Sequence, residues 1–147
     1  MRLRSTSALL PLMLALLGSR VARADGATLT VQIVGLHSDK GEVPCELFLG
    51  PKGYPTDPKL AVQKAVSPIV AGQATCAFPG LAPGTYAVAV FHDENANHKL
   101  DTNLIGIPRE GVGASNDAKG SMGPPPFDKA KFEVGAADVK LTIHVKY

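Results

Sequence analysis

Apolar and polar residues alternate with a period of two along most of the chain beyond residue 24. In Thr28 to Val34, Leu29, Val31 and Ile33 fall on one face, and Thr28, Thr30 and Gln32 on the other. The same rhythm puts Val43, Cys45, Leu47 and Leu49 together in 42–49, and Ala74, Cys76 and Phe78 together in 73–78. It returns in Tyr86, Val88 and Val90, in Phe132 and Val134, and in Val139, Leu141, Ile143 and Val145. Val62, Lys64 and Val66 form a weaker, edge-like run stopped by Pro68. Successive side chains of a strand point to opposite faces, so this alternation predicts half-buried antiparallel strands. No stretch beyond residue 24 sustains a 3.6-residue period, so helices should be short or absent. About seven short strands in one domain predict an all-β fold, a single antiparallel β-sandwich of the Ig-like or transthyretin-like kind.

Two stretches refine this picture. Leu81-Ala82-Pro83-Gly84-Thr85-Tyr86 reads as a tyrosine corner, a tight turn into a core strand whose Tyr86 hydroxyl bonds to backbone upstream. The same phrase resembles the turn of transthyretin-like and carboxypeptidase-regulatory-like sandwiches. The second stretch is the long connection 93–128, rich in Gly, Pro and Asn. Loops beyond about 15 residues are usually functional or disordered. This one carries Leu104, Ile105, Ile107, Val112, Met122 and Phe127. Those residues are expected to fold it over one end of the sandwich as one long ordered loop.

The first 24 residues read as a signal peptide: Arg2 and Arg4, an apolar run from Leu9 to Leu17, then Ala22-Arg23-Ala24 as a cleavage site. The run is too short to span a bilayer, which takes about 20 residues. The mature domain is then 25–147, exported to the periplasm or beyond the cell, with no transmembrane segment. The leader holds four of the 15 basic residues and none of the 13 acidic ones, which leaves 11 against 13 and a net charge of −2. Without a basic patch there is no electrostatic case for nucleic acid. Cys45 and Cys76 are the only two cysteines. In an oxidising compartment such a pair in a small domain points to a disulfide, and both residues lie on the apolar faces of their strands.

The most informative chemistry lies at 93–101, Asp-Glu-Asn-Ala-Asn-His-Lys-Leu-Asp. Asp93, Asn95, Asn97 and Asp101 occupy positions 1, 3, 5 and 9 of an EF-hand-type loop, and the Lys99 carbonyl takes position 7. Such a set of hard oxygen donors suits Ca2+. The pattern is incomplete, since His98 replaces the usual glycine at position 6 and Leu104 the bidentate glutamate at position 12. A plain Asx-rich turn is the competing reading.

A family resemblance extends this reading. Leu81-x-Pro-Gly-Thr-Tyr-Ala-Val-Ala-Val-Phe-His-Asp-Glu-Asn, Lys99-Leu100-Asp101-Thr102-Asn103, Gly106-Ile107-Pro108-x-Glu110-Gly111, Ser115-Asn116 and Pro125-x-Phe127 together resemble the bacterial family catalogued as domain of unknown function 2141. The resemblance implies an exported β-sandwich of no established activity and adds no catalytic residues. In that family the acidic loop tends to carry glycine where this chain has Ala96 and His98.

His92 follows the core-facing phase and is expected to bond loop backbone, while His37 and His144 are expected at the surface. Ser115 lacks a Gly-x-Ser-x-Gly context and a base. His92, Arg109, Glu110, Ser115 and Asn116 are grouped as a candidate ligand loop. Two functions remain. One is a non-catalytic exported module, calcium-stabilised, whose loop meets an envelope protein, a glycan or a small ligand. The other is a small hydrolase-like enzyme with His92, Asp93 and Glu110 in a site under the loop. Nothing in the sequence assembles a nucleophile with its base, which favours the first.

Overall fold

The computed structural model describes residues 26–147; the signal-peptide reading of 1–24 lies outside them. Eight strands form two sheets: β1 (Ala27–Val34), β2 (Glu42–Leu49), β3 (Gln63–Pro68), β4 (Ala74–Leu81), β5 (Gly84–Phe91), β6 (Val112–Ala114), β7 (Phe132–Val134) and β8 (Val139–His144). One sheet runs β4-β1-β8; the other runs β3-β2-β5, with β6 and β7 sharing the far edge of β5. The one α-helix among the described residues, α1 (Phe127–Ala130), has a single turn.

The alternating apolar residues meet between the sheets. Leu29, Val31 and Ile33 of β1 and Val43, Cys45 and Leu47 of β2 are wholly buried, as are Val88 of β5 and Ile143 of β8. Each large aliphatic side chain so buried contributes about 1.5–3 kcal/mol. The Cys45–Cys76 disulfide crosses the core from β2 to β4 and ties one sheet to the other. The Tyr86 hydroxyl donates to the Ala82 carbonyl at 2.8 Å, which completes the tyrosine corner.

Three features differ from the expectation. β1 and β8 run parallel, Leu29 opposite Val139 through Val34 opposite His144. A half-buried strand alternates in the same way whichever direction its neighbour runs, so the pattern could not distinguish them. Next, the 93–128 connection is not one loop. It is interrupted by β6 and by a 3-10 turn at Ser115–Asp117, which divide it into a cap over one pole and a flap over the outer face of the larger sheet. Beneath that flap Ala87, Ala114 and Ala130 form a second small core, bordered by Tyr54, Ala118 and Phe127. Phe48, also on β2, stacks edge-on against Tyr54, and Tyr54 against Phe127.

Finally, the expected apolar anchors do not anchor the cap. Leu104 and Met122 are fully exposed, Ile105 is 79% exposed and Ile107 54%; only Val112 and Phe127 are half-buried. Polar bonds order the cap instead. Asn103 Oδ1 accepts from the N–H of both Ile105 and Ile107, the N–H of Asn103 donates to the Ile107 carbonyl, and that of Arg109 donates to the Asp101 carbonyl. The segment 101–109 is therefore a narrow hairpin with an apolar tip in solvent.

Candidate functional site

The cap begins where β5 ends. The N–H of Asp93 donates to the Glu42 carbonyl and the N–H of Glu42 to the Asp93 carbonyl, so the first acidic residue of the cap is still paired with β2. Gly41, at φ +74°, lies so close that a Cβ there would collide with the Asp93 carbonyl. Fixed backbone on both sides leaves the Asp93 carboxylate wholly buried.

Asp93 is the hub of the turn. Its Oδ1 accepts from the N–H of Asn97 at 3.1 Å and its Oδ2 from that of His98 at 2.7 Å. Asn95 Oδ1 accepts from the N–H of Asn97, and Asn97 Oδ1 from that of Lys99. Both carboxamides turn their Nδ2 to Asp101, at 2.7 Å from Asn95 and 3.1 Å from Asn97. Ala96 and His98 stand at φ +53° and +62°. Those are left-handed positions, which glycine occupies without strain, and this chain accepts the steric cost of a Cβ at both.

Leu104, the residue at position 12, points into solvent. The carboxylate that reaches the turn belongs to Glu110, buried on the return limb of the hairpin. Its Oε1 accepts from the N–H of Glu94 and its Oε2 from that of Asp101. Glu42 adds a further carboxylate: its Oε1 lies 2.8 Å from His98 Nδ1, and Glu42, Asp93 and His98 bring their donor atoms within 4.8 Å of one another. Glu42 was not legible as part of this site, because it lies far off in sequence, inside a strand.

Beside this cluster is a second one. His92 is wholly buried; its Nε2 lies 2.7 Å from the Lys40 carbonyl and its Nδ1 2.6 Å from the Tyr147 hydroxyl. The expectation that it bonds loop backbone thus holds for one ring nitrogen. His37, expected simply at the surface, is stacked on Tyr147 with ring centroids 3.9 Å apart, and its Nε2 contacts Glu94 Oε1. The backbone N–H of His37 donates to the Tyr147 hydroxyl at 3.2 Å. Burial raises the Tyr147 pKa, the bond from His37 pulls it back, and the Glu94 charge raises it further, so the phenol keeps its proton and serves as donor to His92. Gly111 makes room for this ring, since a Cβ there would press on Tyr147 and Val145.

The expected ligand loop divides. His92 and Glu110 belong to the two clusters just described, and Arg109 is exposed beside them. Ser115 and Asn116 do not join them, which corrects that grouping. Ala114 pairs with Ala89, so Ser115 lies up along β5, away from the pole. It is fully buried, accepting from the Val88 N–H at 3.0 Å and donating to the Ala130 carbonyl at 2.6 Å. Asn116 donates to the Lys129 and Lys131 carbonyls. Both residues fasten the flap, through the Ser115 hydroxyl and the Asn116 Nδ2. His144, at the surface, pairs with Asp117, whose Oδ1 and Oδ2 accept from its N–H and its ring, each at 2.8 Å.

The model of a bacterial family described as an uncharacterized conserved protein, DUF2141, matches residues 31–142. None of the curated proteins matches the chain. Among solved structures the chain is similar to a cysteine-to-alanine variant of a pilus-presented adhesin, at 14% identity and a TM-score of 0.28. The alignment covers 86% of this chain and 28% of the adhesin chain, so this chain spans under a third of that length.

Proposed function

We propose that this chain, which belongs to the DUF2141 family of uncharacterized bacterial proteins, is an exported, non-catalytic binding module. Its cap is held in shape by Ca2+, and the hairpin tip meets an envelope protein. Export rests on the sequence of the leader, and the buried disulfide suits an oxidising compartment. Among the described residues no helix is long and apolar enough to cross a membrane.

The observation that carries the calcium reading is a concentration of negative charge. Glu42, Asp93, Asp101 and Glu110 gather around one turn, and among the described residues no Lys or Arg forms an ion pair with any of them. Four carboxylates crowded at a half-buried site repel one another even where N–H groups and His98 satisfy them, and a hard divalent cation offsets that repulsion. Asp93, Asn95, Asn97 and Asp101 with the Lys99 carbonyl would hold the ion once the Asn95 and Asn97 carboxamides, which here turn Nδ2 to Asp101, rotate to present oxygen, and Glu110 brings the carboxylate that Leu104 does not supply. An ion there would also offset the entropy lost in ordering the cap.

Leu104, Ile105 and Ile107 on an ordered hairpin form an apolar projection, which suits a recess on a protein better than a glycan or a small ligand. Against the enzyme reading, the Ser115 hydroxyl is buried against the Val88 N–H and the Ala130 carbonyl, away from His92 and Asp93, so it is no nucleophile beside that candidate base. Two shallow hollows of the surface lie away from this pole, one lined by Thr30, Gln32, Thr75 and Leu141, another by Leu81, Pro83 and Gly135.

Calcium titration of the purified mature domain tests the reading, with thermal melting in the presence and absence of chelator. Saturation at 100 times the Kd should add about 2.7 kcal/mol and protect the cap from protease. An unchanged melt and digestion pattern would remove calcium from the account. A photocrosslinker at Ile105 should then give a discrete envelope adduct that the same probe at Leu60 does not give; equal labelling at both positions would remove the tip.

A further inference from the structure

We propose that His37, His92 and Glu94 form a second, separate metal site, one that takes a divalent first-row transition ion such as Zn2+. The three residues bring one donor atom each within 4.8 Å of the others, and Glu94 Oε1 contacts His37 Nε2 and lies 3.8 Å from His92 Nδ1. The residues come from the β1–β2 loop and from the end of β5, so the fold assembles them; no spacing in the sequence announces the set.

The tautomer of His92 is fixed by its partners. A backbone carbonyl can only accept, so the nitrogen 2.7 Å from the Lys40 carbonyl must carry the proton. The other nitrogen, Nδ1, is then a bare lone pair. It accepts from the Tyr147 hydroxyl at 2.6 Å and looks toward Glu94 Oε1 at 3.8 Å. Metal-binding histidines are prepared in this way, one ring N–H bonded to a carbonyl and the other nitrogen presented to the ion. His92 is immobile because it is wholly buried.

The remaining donors are placed but adjustable. His37 is held by its stack on Tyr147, yet its side chain is 51% exposed, so the ion has a path from solvent. The Glu94 backbone is fixed by Glu110 Oε1 at 3.1 Å, while its carboxylate already contacts His37 Nε2 and lies 3.8 Å from His92 Nδ1. Tetrahedral zinc with bonds near 2.0–2.1 Å needs donors about 3.3 Å apart, which small side-chain rotations reach from the present separations. Two imidazoles and one carboxylate select an ion of zinc or copper character over Ca2+, and three protein ligands leave a fourth position for water. The Tyr147 hydroxyl currently covers the Nδ1 lone pair and would be displaced on binding. This site does not depend on the calcium reading, because it shares no ligand with that one.

The test is titration of the purified mature protein with Co2+ and Zn2+, followed by visible absorption and calorimetry. One equivalent of Co2+ should produce the d–d bands of a low-symmetry nitrogen-ligated site, and Zn2+ should abolish them. His37→Ala should eliminate binding and Glu94→Gln should weaken it at least tenfold, with melting curves confirming that both variants fold. Tyr147→Phe, which uncovers Nδ1 and keeps the stack, should retain binding. Asn97→Ala should lower calcium affinity and leave zinc affinity unchanged, which separates the two sites. Absence of saturable binding to the wild-type protein would overturn the proposal, as would binding that persists in folded His37→Ala.

Discussion

The carboxylate of Asp93 accepts the backbone N–H of His98 at 2.7 Å, and it can do so because His98 stands at φ +62°, in the left-handed region. A turn tight enough to bring five residues back onto one buried carboxylate leaves no other conformation. Its neighbour but one, Ala96, stands at φ +53° for the same reason.

Replacing Ala96 with glycine should therefore stabilise the protein by about 1 kcal/mol, since glycine reaches that conformation without a Cβ clash. Ala96 is exposed and its side chain fills no core, so little packing is lost. Urea denaturation should show the gain as a higher midpoint with unchanged slope. A lower midpoint would mean that the turn is not under this constraint.

Asp93→Ala should cost about 2–4 kcal/mol, because two charge-assisted bonds disappear together. The loss should be local as well as global: limited proteolysis should open new cuts between 94 and 101 while the sandwich strands stay protected. Unchanged protection of that turn would contradict the role of Asp93 as its hub.

Tyr86→Phe should cost about 0.5–1.5 kcal/mol, the net worth of the hydroxyl bond to the Ala82 carbonyl, with the buried ring left in place. Chemical denaturation measures it. A silent substitution would show that water replaces the bond without loss.

The double variant Cys45→Ala, Cys76→Ala should lose about 3–4 kcal/mol, since the bridge closes a loop with a sequence separation of 31. The same destabilisation should follow reduction of the wild-type protein. A Tm that does not respond to reductant would deny the bridge its structural part.

Glu46 gives the stability a pH dependence. It is half-buried on β2, and that burial raises its pKa above 4.5, with Lys64 across the strand pair pulling the other way. The folded state therefore keeps its proton to higher pH than the unfolded chain. Between the unfolded and folded values the native state binds more protons, so stability falls as pH rises through that window, and the loss is complete above it. Glu46→Gln should flatten this fall. An unchanged stability-versus-pH curve from pH 4 to 7 would assign the effect elsewhere.

The strands, the tyrosine corner and the disulfide were legible because each is a local or compositional signal. Alternation at Leu29-Val31-Ile33 fixes a face, Pro83-Gly84-Thr85-Tyr86 fixes a turn, and two cysteines on apolar faces have only each other. The DUF2141 resemblance was legible in the same way, from contiguous phrases. The apolar residues of the cap misled because hydrophobicity says that burial is favourable, not that a surface is available: Val112 lies against β5, while Leu104 and Ile105 have nothing above them. Ser115 was grouped with the ligand loop because sequence alone does not show the strand edge and helix end that close around its hydroxyl.

The sequence by itself determined a β-sandwich with a stapled core and an acidic turn at 93–101, because those properties depend on residues near one another in the chain or on face parity. Only the tertiary structure decided that β8 joins β1 in parallel, that Glu42 and Glu110 converge on Asp93, and that His37, His92, Glu94 and Tyr147 meet at one pole. Contacts of that kind arise from where separate strands end, and a strand's residue pattern does not encode which loop it will end beside.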